Sequence, residues 1–382
     1  MLKQENKYLK DKINMSEQLQ KTFSGSKVLV TGHTGFKGSW LSIWLTSMGA
    51  NVTGLSLDIP TEPSHFQSGH IDGILSNDIR LDIRDGLAMK NLIKDMQPDF
   101  VFHLAAQPIV RRSYADPVES WQTNTLGTVN ILEALRGVEN DCTAIFITSD
   151  KCYDNVEWEW GYRETDALGG PDPYSASKGA AELAIRSYVR SYFPVDGKVR
   201  IGVGRAGNVI GGGDWALDRL VPDCVRAWSR GEHVELRNPA ATRPWQHVLE
   251  PLSGYINLAM ALHQDNKLHG EPFNFGPPAQ QNQSVGELVT AMSTYWSQVR
   301  WTDVSQQYGG PYESGLLKLN CDKALYHLKW RAIWGFEETV RETALWYSNY
   351  YSESGQTVAE FSLDQINRYT EDAKQKGLLW AL

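Results

Sequence analysis

Residues 27–58 carry the pattern that decides the fold, and they read KVLVTGHTGFKGSWLSIWLTSMGANVTGLSLD. The apolar run at 27–30 predicts a strand, and the glycine-rich stretch behind it predicts a tight turn. A predicted helix over residues 39–50 and a second strand from residue 51 follow. Strand, turn, helix and strand in this order predict a βαβ unit with two parallel strands.

The same alternation continues along the next part of the chain. Apolar strands are predicted at 99–106, 143–149 and 199–206, with helices at 124–136 and 177–192 between them. Alternating strands and helices build a parallel sheet covered by helices on both faces. The predicted fold class is therefore α/β, a Rossmann-type doubly wound parallel sheet with a smaller mixed substrate-binding lobe.

Two lobes are expected in a chain of 382 residues, because single domains usually hold roughly 100–200 residues. We assign residues 25–206 to the sheet domain, and we expect residues 245–276 to return to it. Residues 207–244 and 277–382 are assigned to the smaller lobe. Residues 1–24 form an N-terminal extension, for which a short amphipathic helix with Leu2, Leu9, Ile13 and Leu19 is the alternative to the frayed tail that we expect.

Composition narrows the class of partner and the compartment. The formal net charge is −8, whereas nucleic acids and anionic membranes require a basic surface, so neither is an expected partner. Four scattered cysteines predict no disulfide framework and no zinc site, and no other metal site is expected. No apolar run reaches membrane-spanning length. We therefore expect a cytoplasmic protein.

The glycine-rich turn predicts a dinucleotide site. Gly32, Gly35 and Gly38 lie between a predicted strand and a predicted helix, where a backbone without side chains can approach a pyrophosphate at the helix N-terminus. His33 is the unusual residue of the turn. It could crowd or hydrogen-bond the phosphates, or it could be a solvated turn residue.

Acidic residues at the ends of later strands bear on the choice of cofactor. Asp58 follows the second strand, where a carboxylate can bind the ribose 2′-hydroxyl and repel a 2′-phosphate. This position favours NAD over NADP. Asp82 follows at the next strand and could contact the adenine edge, whereas Asp78 and Asp85 are the surface alternatives nearby.

The catalytic pattern is YSASK at 174–178, which places the Tyr174 phenol and the Lys178 ammonium on one helix face. A nearby ammonium stabilises phenolate, so we expect the pKa of Tyr174 to fall from about 10 toward neutrality. A phenolate at that pKa is a general base for a hydroxyl proton. Ser149 ends an earlier predicted strand and joins the expected catalytic set.

The chain resembles the extended short-chain dehydrogenases/reductases through TGHTGFKG, HLAAQ at 103–107, the strand-end serine and YSASK. The resemblance implies that Ser149 and Tyr174 contact the sugar hydroxyl that is oxidised, and that Lys178 contacts the tyrosine and the NAD. It also implies a structural and active-site role for Asn124. The further cofactor contacts expected are Phe36, Ile83, Leu104, Ala105 and Ala106.

Three longer strings resemble one branch of that family. TSDKCYDN at 148–155, GNVIGGGDW at 207–215 and RPWQHVLEPLSGY at 243–255 are similar to enzymes that dehydrate CDP-glucose. The implied reaction oxidises sugar carbon 4 with NAD, eliminates water across carbons 5 and 6, and returns the hydride to carbon 6. Asp150 is then the candidate acid. Lys151 is either a neutral base, through burial beside Lys178, or an orienting residue.

The nucleotide half of the substrate needs cationic and amide groups. Arg243 is the expected pyrophosphate clamp, because a guanidinium offers two donors to phosphate. Asn208 and Gln107 are expected substrate contacts by resemblance. Weaker candidates are Arg219, Arg111 and Arg112. Trp245 and His247 could contact the cytidine side of the substrate, but core packing is their expected role.

Other functions stay open at this stage. One is a dehydratase of another nucleotide sugar or an epimerase of the same fold; Asp150 disfavours the epimerase, which usually has a small or hydroxyl residue there. A non-catalytic NAD-binding sensor is the rival from another class. The resemblance also implies a homodimer, with helices that begin near 107–114 and at Ser177 as the candidate interface.

Overall fold

The structure is a computed structural model that describes residues 17–297, 299–305, 316–352 and 355–382. Its centre is a seven-stranded sheet in the order β11-β6-β5-β4-β1-β2-β3, in which every neighbouring pair is parallel. The strands of this sheet are β1 Lys27–Thr31, β2 Asn51–Ser56, β3 Asn77–Arg80, β4 Phe100–His103, β5 Cys142–Ile147, β6 Val199–Ala206 and β11 Pro272–Phe275. The predicted Rossmann-type sheet is confirmed.

Alternate residues of each central strand point to opposite faces and build two cores. Val28 and Val30 of β1 belong to the larger core, together with Phe102 of β4. Leu29 and Val101, one position along from these residues, belong to the second core. Both faces are apolar, as expected of a parallel sheet that helices cover on both sides.

The helices follow the predicted alternation. They are α1 Glu17–Phe23, α2 Phe36–Ser47, α3 His65–Ser68, α4 Gly86–Met96, α5 Val110–Ala115, α6 Pro117–Trp121, α7 Gly127–Leu135, α8 Pro173–Tyr192, α9 Leu220–Ser229, α10 Leu249–Gln264, α11 Val285–Met292, α12 Asp322–Leu328, α13 Phe336–Tyr350 and α14 Val358–Gln375. A π-helical turn at Gln122–Leu126 joins α6 to α7. Helix α8 begins at Pro173 rather than Ser177, because the Asp172 side chain caps it by accepting from the Ser175 amide.

Shorter strands lie outside the central sheet. They are β7 Val209–Ile210, β8 Val234–Leu236, β9 Thr242–Arg243, β10 Gln246–His247, β12 Gln283–Ser284 and β13 Trp301–Asp303. β9 pairs with β12 antiparallel, whereas β7 pairs with β10 and β8 with β13 in parallel. The boundaries of the two lobes stay a prediction, although β11 does pair with β6 in the main sheet.

The described end of the N-terminal extension is ordered, and the expectation of a frayed tail is wrong there. Helix α1 buries Leu19 and Phe23 completely. The Phe23 ring lies 4.7 Å from the Phe100 ring of β4, centroid to centroid, so apolar packing fixes the helix to the sheet. Residues 1–16 lie outside the described residues.

The strand order places a crevice at the carboxyl ends of β1 and β4. The chain runs from β1 outward to β3 and then returns to the other side of β1 with β4. In doubly wound sheets ligands bind where the order reverses in this way. Within the described ranges, no helix is both long and apolar enough to cross a membrane.

Candidate active site

The glycine turn lies at this crevice and is as tight as a dinucleotide site requires. Gly32 has φ +78, and a side chain there would approach the Ala105 nitrogen to 2.8 Å. A side chain at Gly38 would lie 2.1 Å from the Gly32 oxygen. Helix α2 begins directly after Gly35, and no side chain caps it. Its first N–H groups are thus available to a pyrophosphate, and the turn fits NAD.

The predictions for His33 require correction. Its ring is completely buried, and both ring nitrogens have protein partners: Nε2 lies 2.8 Å from Asp78 Oδ1 and Nδ1 lies 3.0 Å from Ser56 Oγ. A side chain at Gly54 would collide with the ring, so the glycine in β2 makes room for it. His33 is therefore neither solvated nor a phosphate donor. It joins the turn to β2 and β3, and burial lowers its pKa.

The two cofactor carboxylates differ in their surroundings. Asp58 is exposed, and its carbonyl oxygen accepts from Thr34 Oγ1 at 2.6 Å, which holds it beside the glycine turn. Asp82 accepts two hydrogen bonds from Arg84, at 2.9 and 2.6 Å to Oδ2, and this contact lowers its pKa. The exposed Asp58 carboxylate accepts within its own loop, through Oδ1 from the Ile59 amide at 2.7 Å. The Arg84 guanidinium by contrast holds Asp82.

The other expected cofactor contacts surround the turn. Leu104 and Ala105 donate their amides to the Thr31 oxygen and Oγ1, at 3.1 and 3.2 Å, and Ala106 follows them. Ile83 packs over Gly127, and any side chain introduced at that position would clash with it. Phe36 begins helix α2 and packs against the larger core.

The predicted catalytic residues converge from the end of β5, the following turn and α8. Ser149, Asp150, Tyr174 and Lys178 are each at least nine-tenths buried. Ser149 Oγ donates to Asp150 Oδ1 at 2.9 Å, and the Lys151 amide donates to Ser149 Oγ at 3.3 Å. The 3₁₀ turn Asp150–Cys152 therefore holds the carboxyl beside the strand-end serine.

Burial dominates the electrostatics of this cluster. It raises the pKa of Asp150, although Lys151 and the Ser149 hydrogen bond oppose the rise. Burial also raises the pKa of Tyr174 to about 12, so the expected fall of this pKa toward neutrality is wrong. Burial lowers the pKa of Lys178 to about 8. Desolvation of the phenol outweighs nearby positive charge here.

Lys37 is a further member of the site that the sequence analysis missed. Burial lowers its pKa to about 8, and the positive charges of Arg219 and Lys178 lower it further, whereas the charge of Asp150 opposes the fall. Its ammonium therefore lies within electrostatic reach of the catalytic cluster. The signal was its place inside the glycine turn, immediately after the start of α2.

Lys151 is half-buried, so the burial on which a neutral Lys151 was predicted is only partial. Asp150 by contrast faces a cavity that also has Gly207, Gln246, Gln281 and Lys318 in its lining. This cavity is where a group next to the acid would bind. Asn208 is exposed beside it.

Gln107, an expected substrate contact, and Asn124, expected to have a structural and active-site role, are both hydrogen-bonded to protein groups. The Gln107 amide donates through Nε2 to Ser120 Oγ at 2.8 Å and accepts at Oε1 from the Ile109 amide at 2.6 Å. Asn124 accepts from the Gln107 amide and donates to Ser177 Oγ at 2.9 Å. Both side chains are thus engaged in joining the loop after β4 to α8.

The arginines predicted to contact the substrate lie in different surroundings. Arg219 donates to Asp214 Oδ2 at 2.9 Å and acts electrostatically on Tyr174, which places it at the catalytic cluster. Arg243 is half-buried on β9 and donates to the Thr242 oxygen at 2.8 Å, next to the cavity residue Pro244. Arg111 and Arg112 form exposed ion pairs with Asp218 and Glu119.

Trp245 and His247 are core residues, as expected. Trp245 is buried and donates from Nε1 to the Gln283 oxygen at 3.1 Å. The fully buried His247 ring packs 4.9 Å from the ring of Trp334.

Comparison with known proteins agrees with this geometry. Residues 29–343 match the family described as GDP-mannose 4,6 dehydratase. The chain belongs to this family. The match confirms the predicted resemblance to the extended short-chain dehydrogenases/reductases, in which the family lies.

Individual relatives show how far the family likeness extends. The chain is 48% identical over 330 residues to a CDP-glucose 4,6-dehydratase of Salmonella typhimurium, covering 85% of this chain and 91% of that one. It is 27% identical to a CDP-paratose 2-epimerase of Salmonella typhi, covering 70% and 84%. Among solved structures, Pal from Bacillus thuringiensis has a TM-score of 0.70 at 25% identity, covering 85% and 99%.

Proposed function

We propose that this protein converts CDP-D-glucose to CDP-4-dehydro-6-deoxy-D-glucose, as a nucleotide-sugar 4,6-dehydratase and hydro-lyase. The observation that carries the proposal is 48% identity, over most of both chains, to the Salmonella CDP-glucose 4,6-dehydratase. The buried Asp150 supports it, because elimination of water needs an acid in addition to the Ser149, Tyr174 and Lys178 set.

NAD is the proposed cofactor, held by the glycine turn, the start of α2 and Asp58. When bound, it would take a hydride from sugar carbon 4 and return it to carbon 6. Tyr174 accepts the proton of the carbon 4 hydroxyl, and Ser149 hydrogen-bonds that hydroxyl. Lys178 holds the nicotinamide ribose and favours the phenolate. Because Tyr174 has a pKa of about 12, the positive charge of Arg219, which favours the phenolate, matters to this step.

The turn Asp150–Cys152 supplies the proposed acid for the elimination of water. The ketone at carbon 4 acidifies the proton on carbon 5, which a base removes while Asp150 protonates the departing carbon 6 hydroxyl. A raised pKa suits Asp150 to this role, since it keeps more of the carboxyl protonated near neutral pH. Lys151, next in the chain, is proposed either as this base, which requires its amine to be neutral, or as a residue that orients Asp150 or the substrate. Arg243, Arg219 and Asn208 are the proposed contacts to the nucleotide half.

A panel of nucleotide-glucose donors tests this function. CDP-glucose should give the 4-keto-6-deoxy product, detected by mass spectrometry, and reduced nicotinamide should not accumulate because the reaction is redox-neutral. Equal turnover of every base would contradict the cytidine preference. Steady, stoichiometric release of reduced cofactor would indicate a simple dehydrogenase, and an unchanged mass at inverted stereochemistry would indicate an epimerase such as the Salmonella typhi relative.

A homodimer is proposed on the basis of an apolar surface next to α8. Val118, Trp121, Leu126 and Leu183 are 61%, 40%, 54% and 47% exposed on neighbouring helical segments. Light scattering should give twice the chain mass of 43.0 kDa, and Leu126→Glu with Leu183→Glu should give the single mass. Leu87→Glu, at a 70% exposed position on α4, is the control that should remain dimeric. A monomeric wild type would contradict the proposal.

A cytoplasmic location is proposed as well. Cys142, Cys152, Cys224 and Cys321 are all free thiols. Free thiols persist in a reducing compartment, which supports this location.

A further inference from the structure

A buried ion pair lies behind the catalytic residues. Arg205 of β6 binds Glu182 of α8 through two hydrogen bonds, Nε to Oε1 at 2.8 Å and an outer nitrogen to Oε2 at 2.9 Å. The two side chains are only 3% and 4% exposed. Removing both charges from water is costly, so such a pair persists only when its remaining donors and acceptors are satisfied. The other hydrogen-bond partners of Arg205 and Glu182 show which elements the ion pair connects.

The glutamate end of the pair reaches the catalytic strand. Glu182 lies one helical turn after Lys178 on α8. Thr148 Oγ1 donates to Glu182 Oε1 at 2.5 Å, and Thr148 directly precedes Ser149. Glu182 therefore joins the helix that carries Lys178 to the end of β5.

The arginine end reaches the turn that carries Asp150 and Lys151. Arg205 donates from Nη1 to the Tyr153 hydroxyl at 2.7 Å, and its guanidinium carbon lies 4.9 Å from the centroid of the Tyr153 ring. The Tyr153 hydroxyl in turn donates to Asn274 Oδ1 at 2.8 Å. Tyr153 is 1% exposed and directly follows the turn Asp150–Cys152. One hydroxyl thus attaches the end of the turn to β6 and β11.

We infer that Tyr153 is a positioning residue for the elimination of water, anchored by Glu182 and Arg205. It lies outside the lining of the cavity that Asp150 faces, and it acts by fixing the turn Asp150–Cys152 relative to α8. This inference rests on the proposed function for its kinetic consequence.

The inference separates two steps of the reaction. Tyr174 and Lys178 have supports of their own, the Asp172 cap of α8 and the hydrogen bond from Asn124 to Ser177. Loss of the Tyr153 hydroxyl should leave carbon 4 oxidation in place. The groups on the turn should lose their placement, and a misplacement near 1 Å can cost roughly 100-fold in rate.

The test is Tyr153→Phe, which keeps the ring and removes one oxygen. In single-turnover mixing with NAD and CDP-glucose, reduced nicotinamide should form at the wild-type rate, but its decay and product formation should slow roughly 10- to 100-fold. Tyr162→Phe is the matched control. Tyr162 stacks on Tyr153 with ring centroids 5.2 Å apart, but its hydroxyl binds Asn155 and Val156 rather than the ion pair. The control should match the wild type in both steps.

A second measurement does not depend on the substrate. Amide hydrogen exchange across residues 150–153 should be faster in Tyr153→Phe than in the wild type or in Tyr162→Phe, because the anchor of the turn is lost. Equal slowing of oxidation and elimination, or unchanged kinetics and exchange, would overturn the inference. A wild type that leaves CDP-glucose unconverted would instead overturn the proposed function, and the exchange result would still decide the role of Tyr153.

Discussion

Tyr174→Phe should abolish oxidation of sugar carbon 4, with a loss of roughly 100- to 10,000-fold in its rate, as is typical when a general base is removed. The phenylalanine ring fits the same buried position but cannot accept the hydroxyl proton. Single-turnover mixing with NAD and CDP-glucose should therefore show almost no near-ultraviolet absorbance of reduced nicotinamide. Product formation should fall equally, because every later step depends on this one.

The pH dependence of the same step adds a check on the wild type. With a pKa of about 12, Tyr174 keeps its proton in most molecules at neutral pH. The rate of carbon 4 oxidation should therefore rise as pH rises from neutral into the alkaline range. Tyr188→Phe is the control. It removes a phenol oxygen from the same helix, α8, but that oxygen donates to Glu133 outside the site, so the variant should keep the wild-type rate. Oxidation by Tyr174→Phe at the wild-type rate would contradict the assignment.

The features that were predictable from sequence depend on local spacing. The βαβ order comes from strand and helix periodicity, and the glycine turn is tight because a side chain at Gly38 would meet the backbone of Gly32, six residues earlier. Tyr174 and Lys178 are four residues apart on α8, so helix geometry alone brings them together. Contacts of this kind join residues that are close in sequence, so local spacing predicts them.

The errors concern partners that only the folded chain supplies. His33 is buried because Gly54 of β2 leaves space for its ring, and Gln107 is occupied by Ser120. The pKa of Tyr174 rises because desolvation by the whole site exceeds the effect of nearby positive charge. Lys37 was passed over because its neighbours Asp150 and Arg219 are far from it in sequence.

Asp150→Asn should stop the reaction after carbon 4 has been oxidised. The amide keeps the shape of the side chain but cannot donate a carboxylic proton to the departing hydroxyl, so elimination of water should slow roughly 100- to 10,000-fold. Reduced nicotinamide should form and then persist, and mass spectrometry should show the 4-keto sugar with its water retained. Tyr174 and Lys178 remain in place, which is why the first step survives.

The controls separate acid catalysis from a change of charge. Asp154→Asn alters an exposed carboxylate four residues along and should leave both steps unchanged. In the wild type, elimination should slow as pH rises through the raised pKa of Asp150, because only the protonated carboxyl can act as the acid. This dependence is opposite in direction to that of carbon 4 oxidation. Normal product formation by Asp150→Asn would place the acid elsewhere.

Lys151→Ala completes the separation of acid from base. If the Lys151 amine removes the carbon 5 proton, its loss should slow entry of solvent deuterium at carbon 5 roughly 100-fold or more, while carbon 4 oxidation stays detectable. The half-buried position of Lys151 leaves its amine room to exchange protons with water. Deuterium entry at the wild-type rate would limit Lys151 to orienting Asp150 or the substrate. The proton acceptor would then be a water held by the Asp150 carboxylate, and Asp150→Asn should slow deuterium entry together with water loss.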